Sequence, residues 1–326
     1  MSPGGDRVRV AILGQANWSR HLARLLQRHA PDLVDVVALP GSAAATLLWR
    51  REQTPGVFLR VGYRPGAPTA RGIAFDLLWA QIRSAFPKAT GVYYWLGTDL
   101  MRATQDASRG RLRGAFQASF RDHHLAVAPW HLMELEAIGV EAAYLPLPYE
   151  LPTGSASPMP SQFAVLSYLP AGRFAFYGGT EVFALARQFA AIPFRILGAE
   201  RPREDAPPNV EYPGRLPSTD AIFQASSVLL RLTQHDGVGG TVLEALAHGR
   251  HVIYTFPLPY TNLVEIGDTD AAAGILGRLL NEHQRGVLGI NNEGRRYVLA
   301  TFDETRLSRA LAEKLIACAA PASAAT

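Results

Sequence analysis

The stretch Val228-Leu-Leu-Arg-Leu-Thr-Gln-His-Asp-Gly-Val-Gly-Gly-Thr-Val-Leu-Glu-Ala-Leu-Ala-His-Gly249 decides how this chain is expected to fold. Its short apolar run, Val228–Leu232, predicts a buried strand. A glycine-rich turn then leads into a helix predicted over Thr241–His248, and Gly249 suits the residue that ends a helix. The next apolar run, His251–Tyr254, completes a strand–helix–strand unit, which is the building block of a parallel sheet.

The same alternation of short apolar runs and helical periodicity extends along the whole chain. Further strands are predicted at Val8–Leu13, Val34–Leu39, Val57–Val61, Val92–Leu96, His124–Val127, Ala142–Leu147, Phe163–Leu169, Phe194–Leu197 and Val210–Tyr212. Further helices are predicted after Gly14 and at Ile73–Phe86, Glu181–Phe189, Thr219–Gln224, Ala271–Leu280 and Thr305–Ala317. The pattern indicates an α/β protein built from doubly wound, Rossmann-like sheets.

A length of 326 residues suits two domains of about 150 residues each. Pro148–Gln162 holds four prolines, one glycine and three serines, a composition typical of a linker. We therefore predict a first domain over residues 1–152 and a second over 153–326, with the terminal helix returning to the first. Two such domains are expected to face a cleft, with ligands at the carboxyl ends of the strands.

Composition excludes several classes of protein. Hydrophobic residues make up 48% and charged residues 18%, which is incompatible with global disorder. No run approaches the roughly 18 apolar residues of a membrane helix, and the N-terminal residues carry no apolar signal region, so a cytoplasmic location is expected. The single cysteine, Cys318, rules out an internal disulfide and a cysteine-cluster metal site.

Positive charge is concentrated in the first half. Residues 1–150 hold 17 basic and 12 acidic residues, a balance of +5, whereas residues 151–326 hold 15 and 16, a balance of −1. The excess lies partly in Arg102, Arg109, Arg111, Arg113 and Arg121. Two interpretations stay open: a solvated arginine-rich face, or a surface for an anionic acceptor or for peripheral contact with the inner membrane face. Nucleic acid is not expected, because aromatic residues do not interleave with these arginines in the pattern of any known nucleic-acid-binding module.

The first glycine turn argues against a dehydrogenase. A dinucleotide-binding domain would carry Gly-x-Gly-x-x-Gly and, about 20 residues later, an acidic residue. Here the turn reads Gly14-Gln-Ala-Asn-Trp18, and the second strand ends at Pro40-Gly41 with no carboxylate. Gly14 either lets a substrate, such as an acceptor, approach the backbone or simply forms a tight turn.

The second glycine turn has the features of a phosphate site. Gly237, Gly239 and Gly240 allow close approach of a ligand, and the N–H groups of the first helical turn attract an anion. Glu244 falls one turn into the helix, where its carboxylate suits a ribose diol, and Asp236 could reach a sugar hydroxyl. The alternative is a plain strand–helix connection with a solvated Asp and Glu.

At these residues the chain resembles the retaining glycosyltransferases of the GT-B fold, in particular the large family 4 type. Their donor motif is an acidic residue, seven residues and then Glu, usually beginning Glu-Gly-Phe-Gly; here Asp236-Gly-Val-Gly precedes Glu244. The preceding segment, from Pro208 to Gly214, and the segment that continues to Ile253 also match the corresponding segments of this family. In the first half, Tyr94-Trp-Leu-Gly-Thr-Asp99 looks like a segment found at the cleft of many such enzymes.

The resemblance implies a role for each matching residue. Glu244 would bind the nucleotide ribose and Asp236 the donor sugar, and the donor phosphates would lie against Gly237, Val238, Gly239, Gly240 and Thr241. Arg173 fits an arginine that binds the pyrophosphate. The family's lysine partner is missing: Tyr177 stands near its place, and Lys314 is the only lysine after residue 150. Arg231 either takes over that role or forms a surface ion pair.

These roles define an expected reaction. A sugar would pass from a nucleotide-diphosphate donor to a glycan, lipid-linked glycan or small-molecule acceptor, with retention implied by the resemblance. No metal or other cofactor is expected, because no Asp-x-Asp pair appears in the context of a metal site. Asp99 is the candidate acceptor contact or general base; alternatively it caps a helix starting at Leu100. Two rival functions are a sugar-nucleotide 2-epimerase and a catalytically degenerate homologue that binds nucleotide sugars or glycans.

Overall fold

The computed structural model describes residues 7–40, 54–62, 64–67, 69–111 and 114–319. They form two compact units. Unit 1 contains the described residues up to Tyr149 together with those from Phe302 onward, and unit 2 is Glu150–Thr301. The α/β class and the two Rossmann-like units are confirmed. None of the helices in these ranges is long and apolar enough to cross a membrane.

Unit 1 is built on a parallel sheet of six described strands. They are β1 (Val8–Gly14), β2 (Val34–Pro40), β3 (Val57–Val61), β4 (Thr90–Trp95), β5 (His123–Ala126) and β6 (Ala143–Tyr144). The spatial order is β2-β1-β3-β4-β5-β6. The chain therefore winds outward from β1 in both directions, and the strand order reverses between β1 and β3.

The described helices of unit 1 cover this sheet. They are α1 (Ala16–His29), α2 (Ala70–Ala85), α3 (Thr98–Ser108), α4 (Gly114–Ala118) and α5 (Trp130–Glu136), followed by the terminal helix of the chain, Glu304–Ala319. Leu22, Leu25 and Leu26 of α1 are fully buried, as their helical spacing predicts. Val10 and Ile12 of β1 belong to the same hydrophobic core as Leu22 and Leu26.

Unit 2 repeats the plan with a second parallel sheet of six described strands. They are β7 (Val165–Tyr168), β8 (Phe194–Leu197), β9 (Val210–Glu211), β10 (Val228–Arg231), β11 (His251–Tyr254) and β12 (Asn262–Leu263). The spatial order is β12-β11-β10-β7-β8-β9, so the order reverses between β7 and β10. In open α/β sheets, ligands bind beyond the carboxyl ends of the strands at such a reversal.

The helices of unit 2 connect these strands. They are α6 (Gly179–Gln188), α7 (Asp220–Gln224), α8 (Gly240–Ala247), α9 (Thr269–Gln284) and α10 (Asn292–Thr301), so that the terminal helix is α11 (Glu304–Ala319). Strand β10, helix α8 and strand β11 match the predicted strand–helix–strand unit within one residue at each end. The core of this unit includes Val165, Val228 and Ile253 from adjacent strands.

Helix α11 packs on unit 1, as expected of a terminal helix that returns to the first domain. Leu311 and Leu315 are fully buried in the core that α1 and β1 share. Two hydrogen bonds of 2.9 Å join the guanidinium of Arg309 to the carboxylate of Asp32, in the connection between α1 and β2. The observed units therefore divide at residue 149 rather than 152, and the residues from 302 onward belong with the first unit instead of the second.

The buried face of α11 gives a test of this packing. Leu311→Ala is expected to lower the free energy of unfolding by about 2–5 kcal/mol, because it leaves a cavity in a closed core. Glu313→Ala, on the exposed face of the same helix, should change it by less than about 0.5 kcal/mol. Urea denaturation of both variants measures the difference, and equal effects would contradict the packing.

Candidate functional site

The site of unit 2 forms where its strand order reverses, at the ends of β7 and β10. The segments that follow β7 and β10 are hydrogen-bonded to each other: the Gln234 N–H donates to the Phe176 carbonyl at 3.0 Å, and the Thr233 hydroxyl donates to the same oxygen at 3.2 Å. The Thr255 hydroxyl, just after β11, donates to the Thr233 carbonyl at 2.7 Å. Three connections are thereby held together at one edge of the sheet.

An ion pair between Arg231 and Asp236 lies at the centre of this edge. Nε and Nη2 of Arg231 donate to Oδ2 of Asp236 at 2.9 and 2.8 Å, and Oδ1 accepts from the N–H of Gly237 at 3.0 Å. The two side chains are only 7% and 11% exposed. Burial, the largest single influence, would by itself lower the pKa of Arg231, but the charge and hydrogen bond of Asp236 together with Tyr254 and Tyr177 outweigh it and raise the pKa. The ion pair predicted for Arg231 is therefore present, but it is buried and not on the surface.

The turn after Asp236 has a strained backbone. Val238 adopts φ +65°, a conformation that a β-branched residue rarely takes, whereas Gly239 has an ordinary φ of −63°. A Cβ on Gly239 would lie 2.8 Å from Oδ2 of Asp236 and 3.1 Å from Nε of Arg231. Glycine is thus needed at position 239 because the ion pair occupies the space that a side chain would take. The residue with the left-handed backbone conformation is Val238.

Helix α8 begins directly after this turn and carries Glu244. Its first N–H groups, at Gly240 and Thr241, have no acceptor within the helix, as at any helix start. The Thr241 hydroxyl is enclosed and has no hydrogen-bond partner in the described part of the chain. Oε2 of Glu244 accepts from the Thr219 hydroxyl at 3.0 Å. Burial raises the pKa of Glu244, and the bond from Thr219 opposes that shift only in part.

Arg173 approaches the same edge from the segment after β7. Its Cζ lies 3.8 Å from the ring centre of Phe176 and 5.3 Å from that of Tyr177. The Arg231 guanidinium also lies over Tyr177, at 4.6 Å, so both cations contact one aromatic ring. Arg173 is half-buried whereas Arg231 is 6% exposed, and Arg173 is accordingly the more accessible of the two. Unit 2 contains no lysine.

The two candidate residues of unit 1, Gly14 and Asp99, both make close contacts with the backbone of their own unit. A Cβ on Gly14 would lie 2.1 Å from the Val61 carbonyl oxygen, so the close approach of β3 requires glycine there. Helix α3 begins at Thr98, two residues before the expected start, and the Asp99 carboxylate accepts from the N–H groups of Leu96 and Gly97. Burial raises the pKa of Asp99 despite these bonds.

The structure thus places Arg173 and Arg231 over the ring of Tyr177 and pairs Arg231 with Asp236. Gly14 and Asp99 instead line one pocket of unit 1. The sequence did not point to the tyrosine rings as contacts of the arginines, nor to Thr219 as the partner of Glu244. No local signal could have found Thr219, because it meets Glu244 across 25 residues of chain.

Comparison with known proteins supports the fold. No protein-family model and no curated protein sequence matches the chain. Among solved structures, sucrose-phosphate synthase from Thermosynechococcus elongatus superposes with a TM-score of 0.69 at 14% identity, over 95% of this chain and 100% of that one. A UDP-GlcNAc 2-epimerase from Neisseria meningitidis, bound to UDP-GlcNAc, gives 0.54 at 11% identity, over 95% and 99%.

A pneumococcal O-GlcNAc transferase in complex with UDP and GlcNAc gives a TM-score of 0.58 at 12% identity. The match covers 85% of this chain but only 60% of that transferase's length. Identities this low establish architecture and not activity. The chain has the GT-B fold found in glycosyltransferases, as its donor motif predicted.

The buried ion pair gives a sharp stability test. Asp236→Ala would leave the Arg231 guanidinium buried without its carboxylate, and we expect it to lower the free energy of unfolding by about 3–5 kcal/mol. The double variant Arg231→Met/Asp236→Ala should lose less than the sum of the single variants, since no unpaired charge remains. Urea denaturation measures this cycle. Asp205→Ala, which removes an exposed ion-pair partner, serves as the control and should leave the midpoint nearly unchanged; additive losses would contradict a coupled pair.

Glu244 should make stability depend on pH. Because its pKa is raised in the folded state, the native protein holds this proton more tightly than the unfolded chain, and stability falls as pH rises through the unfolded value of about 4.5 toward the folded value. Glu244→Gln removes this loss and should melt at a higher temperature than the parent at pH 7, with the gain shrinking below pH 4. The exposed control Glu265→Gln should show no such trend. A lower melting temperature for Glu244→Gln at pH 7 would oppose this account.

Proposed function

We propose that the protein is a glycosyltransferase that moves a sugar from a nucleotide-diphosphate donor to an acceptor. The observation that carries this proposal is the edge of unit 2 where Arg231, Asp236 and the start of α8 meet. It lies at a strand-order reversal, the position at which α/β folds bind nucleotides. A partly buried carboxylate, Glu244, lies one turn along the same helix.

Each part of this edge suits one part of the donor. The N–H groups at Gly240 and Thr241, at the start of α8, favour a phosphate. Glu244 is already desolvated, so its carboxylate would form strong hydrogen bonds with the two hydroxyls of a ribose. The aromatic rings around Arg173 hold its guanidinium at the same edge, where it would bind the outer phosphate.

The chemistry follows from the charge that develops on the leaving diphosphate. Arg173 and the N–H groups of the α8 turn would stabilise that charge in place of a metal ion. We assign Arg231 mainly to holding Asp236 and the turn in place, since its own exposure is small. Asp236 would then present its Oδ1 side to the donor sugar, as its place in the motif suggests. Retention of configuration is proposed on the resemblance alone.

Unit 1 would bind the acceptor. Asp99 has the raised pKa that suits a general base, but its oxygens already accept bonds from Leu96 and Gly97. A positioning role, in which Asp99 holds the start of α3 beside the acceptor, is therefore better supported than proton transfer.

Nucleotide binding is the first test. Titration with UDP, GDP, ADP and TDP should raise the melting temperature with at least one of them, since a ligand at 100 times its Kd adds about 2.7 kcal/mol of stability. EDTA should not abolish the shift. Glu244→Ala should weaken binding of that nucleotide about tenfold or more, while Glu265→Ala should leave it unchanged. If none of the four stabilises the protein, the donor site is wrong.

Turnover separates this proposal from its two rivals. A panel of nucleotide sugars, followed by mass spectrometry, should show nucleotide release that depends on an added acceptor. The 2-epimerase neighbour keeps one rival open: formation of an epimer from UDP-N-acetylglucosamine without acceptor would establish it. Donor binding with no turnover under any condition would indicate a binding protein instead.

A further inference from the structure

Unit 1 has its own pocket at its strand-order reversal. The pocket has a volume of about 330 Å³ and lies beyond the ends of β1, β3 and β4, with Gly14, Gly62 and Thr98 among its lining residues. Sites for small molecules commonly span roughly 300–1,000 Å³, so the space suits a compact ligand. It is built entirely from residues of unit 1.

The lining carries an excess of positive charge. Arg64, Arg71 and Arg102 line the pocket, whereas Asp99 is the one acidic residue among the lining residues described. Burial raises the pKa of Asp99, and the backbone N–H groups of Leu96 and Gly97 donate to its carboxylate. Arg64 is held by the Asp106 carboxylate and the Arg102 carbonyl. Arg71 and Arg102 are exposed, on α2 and α3, and can move toward a ligand.

Two helix starts add to this charge. Gln15 precedes α1 and Thr69 precedes α2, and both residues line the pocket. The first N–H groups of these helices have no acceptor within the helix, and the helix dipole favours an anion near them. Part of this capacity is already used, because the Thr69 hydroxyl accepts from the Gly72 N–H at the start of α2 and the Asp99 carboxylate accepts from the Gly97 N–H just before α3. Arginines from three segments therefore surround a space that two helix starts also make favourable for an anion.

We propose that this pocket binds a phosphate ester on a small soluble molecule, and that the acceptor of the transfer therefore carries a phosphate. Phosphate binding is inferred from the pocket alone, whereas a phosphate on the acceptor also rests on the proposed function. A planar guanidinium can donate paired hydrogen bonds to two oxygens of one phosphate. Three arginine side chains at one pocket supply more positive charge than the binding of a neutral sugar would require. The small volume of the pocket, about 330 Å³, favours a compact soluble ester over a lipid headgroup.

Calorimetric titration of the full-length protein tests the pocket, with glucose 6-phosphate, glucose and inorganic phosphate as probes. Glucose 6-phosphate should bind at least tenfold more tightly than glucose, and inorganic phosphate should compete with it. Arg71→Ala/Arg102→Ala should weaken glucose 6-phosphate binding at least tenfold. Arg71→Gln/Arg102→Gln should do the same while keeping more of the side-chain length. The control Arg109→Ala, at the far end of α3, should stay within twofold of the parent.

Several results would overturn the inference. Equal binding of glucose and glucose 6-phosphate, no binding of either phosphate probe, or unchanged affinity in both double variants would each do so. Binding only to vesicles that contain phosphatidylglycerol, with no affinity for the soluble esters, would replace the soluble ligand with a membrane. Circular dichroism and the melting temperature of each variant establish that it is folded.

The same variants keep this test separate from that of the donor site. Nucleotide affinity should not change in Arg71→Ala/Arg102→Ala, because the proposed donor residues belong to unit 2. Glucose 6-phosphate binding should not change in Glu244→Ala. Phosphate binding without any nucleotide binding would remove the donor proposal and leave the pocket, and the reverse result would remove the pocket alone.

Discussion

The buried contact between Arg231 and Asp236 is the interaction on which the candidate site depends. It joins the last residue of β10 to the turn that opens α8, and it fills the space beside Gly239 so completely that no Cβ fits there. Removing either charge would leave the other uncompensated in a poorly solvated place. The same guanidinium lies over Tyr177, so the ion pair also links the segments after β7 and β10. Side chains that bind a ligand need such a support in order to keep their positions.

Both units have a reversal of strand order in the sheet, and different side chains lie at the two reversals. In each, the strand order reverses beside the first strand, at β1 and β3 in unit 1 and at β7 and β10 in unit 2. In open α/β sheets, ligands bind beyond the carboxyl ends of the strands at such a reversal. In unit 2 this edge carries a carboxylate, the N-terminus of α8 and two arginines over an aromatic ring. In unit 1 it holds a pocket bordered by arginines from separate segments and by the N-termini of two helices.

Sequence reasoning succeeded where local pattern and tertiary structure agree. Strand β10, helix α8 and strand β11 are strongly apolar on their buried sides, and their bounds were predicted within one residue. Helices α5 and α10 were missed because they are short or mostly exposed: each buries only two residues, too few for a clear helical period. The sequence showed the glycines of the turn before α8 but not why glycine is needed there. A side chain at position 239 would collide with the Arg231–Asp236 ion pair, and the residue with the left-handed backbone is Val238.

The sequence by itself predicted the two α/β units and located the glycine turn from Gly237 to Gly240 before a helix, because strand and helix periods and turn residues are properties of neighbours in the chain. It also shows directly that unit 2 has no lysine. Tertiary structure decided which side chains meet. Thr219 reaches Glu244, Arg309 reaches Asp32, and Arg64, Arg71 and Arg102 converge on one pocket. Those contacts depend on the order of the strands and on how the helices cover the sheet. Neither can be predicted from local sequence pattern, because the residues concerned are far apart in the chain.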